Sequence, residues 1–210
     1  MDMGTPESFK VLHKKKTTDL ISTPKPITWT SLTNSGKAYD ASYKLRGMGD
    51  WVFSLTPAPY YEASEDVYIQ QITKTIINVD GVPTDWDAEV GLPAEIMPLD
   101  KPYAIWTGST FRGIVTCNGK PVPSAEIEVE YMNYEPLMDS NSFAKEAKAT
   151  APQNSFITMG IKANASGEFS FGIPKAGWWG FCALGLGPVK EYKGKELSQD
   201  AVIWVNAQDM

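Results

Sequence analysis

Six consecutive residues, Glu126-Ile127-Glu128-Val129-Glu130-Tyr131, alternate acid and apolar side chains without a break. A period of two belongs to a strand. A helix would scatter the apolar residues round its axis. A strand puts Ile127, Val129 and Tyr131 on one face and the glutamates on the other. The period recurs in Trp51, Phe53 and Leu55, in Phe169 and Phe171, and in Tyr39, Ala41, Tyr43 and Leu45. It recurs again where Val67, Ile69 and Gln71 oppose Tyr68, Gln70 and Ile72. Between these runs stand Asn34-Ser35-Gly36, Asn118-Gly119-Lys120 and Ala165-Ser166-Gly167, which supply Gly or Asn where a turn wants positive φ. Many short strands with Gly and Pro punctuation predict an all-β chain built of sandwiches. The one helical reading is Ser142 to Ala149, a long loop with a single helical turn.

The chain has 210 residues, and a small sandwich holds about 100. Two tandem β-sandwiches of immunoglobulin-like or transthyretin-like type are therefore expected, over residues 1–100 and 101–210. The joint falls near Pro93, Pro98 and Pro102, which cannot sit in a central strand. A weak internal repeat fits the pairing. NSGKAYDASYKLRGMGDWVFSL and NASGEFSFGIPKAGWWGFCAL both read Ser-Gly turn, strand, glycine corner, aromatic, strand.

A net charge of −6 disfavours nucleic acid, because phosphate binding needs clustered Lys and Arg. The one basic run, His13 to Lys16, reads as a solvated turn. No stretch approaches the ~20 apolar residues of a membrane span. The N-terminus as written lacks the apolar core of a secretion signal, which fits either a cytoplasmic chain or one without its natural beginning. Cys117 and Cys182 form no CxxC, and a disulfide between them or two free thiols are both open. Catalytic spacing is absent too. There is no GxSxG, His13 is the only histidine, and GIVTCNGKPV fails as a phosphate loop because Pro121 follows Lys120. No catalytic residue is assigned and the chain is not expected to be an enzyme.

Four stretches, in order, resemble the DUF4198 family: GDWVFSLTPAPYYEASEDVYIQQITK, DWDAEVGLPAEIMPLDKPY, FRGIVTCNGKPVPSAEIEVEY and KANASGEFSFGIPKAGWWGFCAL. The resemblance covers nearly the whole chain. The second half is also similar to transthyretin-like or carboxypeptidase-regulatory sandwiches, through GKPVPSAEIEV and SGEFSFGIPKAGWW. The family is described as periplasmic components of cobalt or nickel ABC transport systems. The resemblance thus implies a periplasmic, non-enzymatic binding or accessory protein working with membrane transporter components. Family members usually carry a signal peptide and a His-bearing segment ahead of the part where this chain starts. The first sandwich is then incomplete at its N-terminus, with an edge left to cover. A His also often stands where this chain has Gln71.

Candidate metal ligands are Glu62, Glu65 and Asp66, then Asp85 and Asp87 around Trp86, with His13 as an outsider. Carboxylates suit hard cations such as calcium, and nickel or cobalt prefers added imidazole. The plain alternative is that both acidic groups are solvated loops. Trp178 and Trp179 are the candidate ligand or partner surface, although adjacent strand residues point to opposite faces and one of them belongs in the core. Against the metal role stands a second reading, a structural or interaction module that binds a partner protein or a glycan. The Asn164-Ala165-Ser166 sequon is explained by its hairpin turn.

Overall fold

A computed structural model describes residues 3–210. The first half forms β1 (Pro6–His13), β2 (Lys16–Asp19), β3 (Lys25–Thr30), β4 (Ser35–Asp40), β5 (Gly49–Pro57), β6 (Tyr60–Glu62) and β7 (Val67–Val79). There follow β8 (Ala94–Pro98), β9 (Ile105–Trp106), β10 (Thr110–Cys117), β11 (Lys120–Pro121), β12 (Glu126–Tyr131) and β13 (Tyr134–Leu137). The chain ends with β14 (Ser142–Ala147), β15 (Thr158–Lys162), β16 (Glu168–Gly172), β17 (Gly177–Ala183), β18 (Glu191–Tyr192) and β19 (Lys195–Gln208). Apart from two short 3-10 turns at Met138–Ser140 and Asn154–Phe156, every regular element described is a strand.

One sheet of eleven strands runs through both halves in the order β15-β12-β17-β19-β7-β5-β1-β2, with β6, β9 and β18 attached at its sides. Its centre is the parallel pair β7 and β19, while the successive pairs outward from it are antiparallel. Two four-stranded sheets complete the fold. One holds β10 with β8, β11 and β16, and the other runs β13-β14-β3-β4.

Residues in register across neighbouring strands share a face. Val129, Phe181, Ile203, Ile72, Ile76 and Val52 thereby line one face, called here the front. The β8–β10–β16 sheet covers it with Ile96, Phe111, Val115 and Phe169, all buried in the same core. Phe111 and Phe169 stand 4.9 and 5.6 Å from the Phe181 ring. The back face of β1 and β5 carries a smaller core of Val11, Trp51 and Leu20, with Phe53 and Leu45 packed on it.

The internal repeat is structural. Gly49 opens β5 at φ +119° and Gly177 opens β17 at φ +123°. Two residues on, each tryptophan ring turns back to the backbone. Trp51 Nε1 donates to the Gly47 carbonyl at 3.4 Å, and Trp179 Nε1 to the Lys175 carbonyl at 2.9 Å. Outward from the parallel centre the sheet reads β7-β5-β1-β2 one way and β19-β17-β12-β15 the other. Such a repeat turns the sheet over, so Trp51 belongs to the back core and Trp179 to the front core. Two apolar cores therefore lie on opposite faces of one shared sheet. The expected joint at residue 100 is crossed by pairing: β8 precedes it and bonds to β10, and β7 bonds to β19.

Gly177→Ala should lower stability by about 2 kcal/mol, the cost of a strained positive φ. A Cβ there would also sit 2.9 Å from the Tyr131 ring. An unchanged urea midpoint would show that this corner carries no constraint.

Two expectations are corrected. Ser142 to Ala149 contains the strand β14, because Phe143 packs edge-on against Trp29 at 5.2 Å and β13 pairs alongside. The strand expected through Leu45 stops at Asp40. Beyond it the chain lies over the sheet, with the exposed Tyr43 ring 5.9 Å from Trp51 and 6.2 Å from Phe53, and packing of Leu45 on the back core replaces strand pairing. The basic run is a turn as read: β1 and β2 meet through Lys14 and Lys15, both at positive φ.

Candidate functional site

Among the described residues, the back face of the long sheet's C-terminal half carries an open trough. Register places Glu128, Cys182, Val202 and Thr73 in one row across β12, β17, β19 and β7. Glu130, Gly180 and Trp204 make the next row, and Asp200 pairs with Gln71. These residues, with Glu65 at one rim, line a trough of about 410 Å³, and none of its described lining residues is basic. Gly180 is what lets the Trp204 ring lie against the sheet; a Cβ there would stand 3.1 Å from the indole.

The electrostatics follow from crowding acids on a half-desolvated surface. Asp200 is 2% exposed. Burial raises its pKa, although its Oδ1 accepts from the Gly185 N–H at 2.8 Å and the Ser198 hydroxyl at 2.6 Å. Burial also raises Glu128, followed by the charges of Glu130, Asp200, Glu65 and Glu126. The Cys182 thiol is pushed up by burial and then by Asp200, Glu128 and Glu130, so it stays protonated. Tyr60, close by, is pushed up to about 12 by burial and then by Glu62 and Asp200. Burial leads each of these shifts, and neighbouring acids add to those of Glu128, Cys182 and Tyr60, so the trough combines partial desolvation with a negative field.

The acids singled out in the sequence disperse. Only Glu65 lines the trough. Glu62 accepts from the Ser64 hydroxyl at 2.6 Å and from its N–H. Asp66 is taken by Lys195 and the Tyr61 hydroxyl. Asp85, 5% exposed, accepts from the N–H groups of Lys14 at 2.7 Å and Lys15 at 3.2 Å, so it clamps the β1–β2 turn. Asp87 is exposed. His13 stacks on Trp51 with centroids 3.8 Å apart, its Nδ1 2.8 Å from the Asp50 carbonyl oxygen. Among the described residues, no three His, Cys, Asp or Glu side chains form a group that could hold a metal ion. Trp179 is 3% exposed and belongs to the core, so it is no stacking platform, while Trp178 is half-buried. Both cysteines are free thiols.

Sequence reasoning passed over Glu128, Glu130, Cys182, Asp200 and Trp204. The signal was there for Glu128 and Glu130, whose outward face is plain in the alternation. Nothing local showed that β17 and β19 would extend that face.

Among the described residues no helix is long and apolar enough to cross a membrane. No curated protein matches the chain. Among solved structures the D0-D1 domain of intimin is similar at 14% identity, over 98% of this chain and 83% of that one, with a TM-score of 0.26. The family described as DUF4198, a domain of unknown function, matches residues 1–187. With nearly its whole length matched, the chain belongs to the DUF4198 family.

Proposed function

We propose that the protein is a non-enzymatic binding or accessory protein that works outside the cytoplasm, beside a membrane transporter for cobalt or nickel, and that the acidic trough is where its cation docks. The observation that carries this is the trough itself: Glu65, Glu128, Glu130, Asp200 and Cys182 line one open hollow with no basic residue among its described lining residues, and because no three of them stand close enough to grip an ion directly, the cation would dock with its water shell, held by the field of the acids. Family resemblance supplies the rest, namely the periplasmic setting, the transporter partner and the transthyretin-like character of the second sandwich. Gln71, where family members often carry His, lies in the trough beside Asp200. An imidazole there would add the nitrogen donor that nickel and cobalt prefer. With Gln in place the donors are mostly carboxylates, which suit a hydrated, weakly held divalent ion such as calcium as well.

Calorimetric titration with nickel, cobalt, zinc and calcium tests this. Weak binding, in the millimolar range, is expected for wild type. It should fade as the pH falls through the raised pKa values of Asp200 and Glu128, because a protonated carboxyl does not attract a cation. Gln71→His should tighten nickel by about tenfold or more and leave calcium unchanged. Asp200→Asn combined with Glu128→Gln should remove the binding. If neither wild type nor Gln71→His shows heat or a thermal shift with millimolar ion, the reading is wrong, since a ligand of the native state must stabilise it.

A second reading, an interaction module for a partner protein or glycan, draws on a different place. An apolar hollow of about 310 Å³ is lined by Tyr131, Phe156, Ile157, Met159, Pro174 and others. Phe156 and Ile157 are 55% and 54% exposed. Metal-independent binding on a glycan array, abolished by Phe156→Ser, would favour it.

A further inference from the structure

Next to the trough lies a mainly apolar cavity of about 440 Å³, between the β3–β4 pair and the back face of the long sheet. Register and burial turn Ile27, Trp29, Gly36 and Ala38 toward the sheet, while Thr28 and Thr30 are exposed. Trp29 and Ala38 line the cavity on that side, and Leu55, Pro57 and Thr73 line it on the other. Its volume and its apolar walls are those of a small-molecule site. Gln71 and Thr73 line both the cavity and the trough, so the two hollows adjoin.

One row of side chains crosses both. Glu128, Cys182, Val202, Thr73 and Leu55 stand in register on β12, β17, β19, β7 and β5. At four strand spacings the row is about 19 Å long. It starts on a carboxylate, passes a thiol and a valine, and ends on a leucine in the apolar cavity. Glu130 and Asp200 flank its acidic end. Among the described residues, the charged side chain lining the apolar cavity is Lys37, which donates to the Thr5 hydroxyl at 3.3 Å and lies over the Tyr39 ring. Charge therefore changes sign from one hollow to the other, and a cationic head is drawn to the trough.

We propose that the two hollows together bind a long-chain alkylammonium ion, its hydrocarbon tail in the cavity under β3 and β4 and its head among the trough acids. The apolar walls favour a tail over water. The head needs a negative field and no converging ligand set, which the described residues do not form. The inference therefore stands apart from metal docking.

The test is calorimetric titration of the whole chain at pH 8 with EDTA present. The probes are alkyltrimethylammonium ions from butyl to octyl, octyl sulfate and octyl glucoside, each below its micelle concentration. One octyltrimethylammonium should bind per chain. Affinity should rise about threefold with each added methylene, as burial of the tail requires. Octyl glucoside should bind about tenfold more weakly, the loss expected from a few exposed charge contacts, and octyl sulfate more weakly still. Glu128→Gln with Glu130→Gln should bring the ammonium down to the level of the glucoside. Ala38→Leu should flatten the dependence on tail length. Equal affinity for the butyl and octyl ammonium ions would put the cation on the acids without the cavity. Octyl sulfate binding as tightly as the ammonium would put the tail in the cavity without the acids. Either result overturns the proposal, as does an absence of binding. These comparisons are made on the unaltered protein, so they hold even where a variant fails to fold, and a null titration with nickel or calcium does not touch them.

Discussion

Lys74→Ala is expected to cost about 3–5 kcal/mol of unfolding free energy, a large part of what holds a typical domain together. Lys74 and Glu95 are 1% and 3% exposed and meet at 2.7 Å, one on β7 and the other on β8. They are a charged rivet between the two layers of the main core. Removing the ammonium leaves a buried carboxylate with only neutral donors, the N–H groups of Val90 at 3.0 Å and Leu92 at 3.2 Å. Burial pulls the Lys74 pKa down and Glu95 opposes that pull, so the desolvation of this pair weighs against its attraction. Lys74→Met with Glu95→Gln should therefore recover much of the loss. That double variant buries no net charge, and the Gln oxygen still accepts from one of the two N–H groups. Urea unfolding of the three variants decides it. A Lys74→Ala cost under about 1 kcal/mol would place the pair with the weak surface ion pairs.

Asp50→Ala should be nearly as damaging, at about 3–5 kcal/mol, because it strands several buried donors at once. Asp50 is fully buried. Its Oδ2 accepts from the N–H groups of Thr84, Asp85 and Trp86 at 2.5, 2.9 and 3.1 Å, and its Oδ1 from Asn78 Nδ2 at 2.6 Å. One carboxylate thus folds the loop after β7 down over the sheet, and Asp85 from that loop goes on to clamp the β1–β2 turn. Burial alone would raise its pKa, but the bonds from Asn78, Thr84 and Asp85 outweigh burial and the value is lowered. A carboxyl whose folded pKa is depressed stabilises the fold above its unfolded value, near 3.9, and loses that contribution as the pH falls through the folded value. Wild type should lose stability over that acid window, and Asp50→Asn, already weaker at neutral pH, should lose less there. Parallel acid-unfolding curves would show that Asp50 does not carry this load.

The strands of the main core were legible because their period is local. Ile127 and Val129 face the core as the alternation requires, and Asn118-Gly119 makes its turn. The repeat was legible too, in a glycine and a tryptophan two residues apart. β14 was misread as loop and helical turn because its charged residues gave no clean period, and packing of Phe143 on Trp29 decided it. Leu45 kept its inward role without the strand, while Tyr43 stays exposed. The site was the least legible part. Glu62, Asp66 and Asp85 look like ligands in a linear reading, yet each has protein donors, and the residues that do share a hollow come from four strands and the β6–β7 turn.

By itself, then, the sequence determined strand against helix, the turn positions, the twofold repeat and the family, because side-chain period, glycine freedom and motif order are properties of short segments. Only the tertiary structure decided that both halves share one sheet, and that a stretch of its back face stays open. The reason is the parallel pairing of β7 with β19, which sets Gln70 against Gln199, 129 residues apart. No local pattern encodes a contact at that range. That one pairing brings Gln71 beside Asp200 and joins Cys182 and Glu128 into the same face.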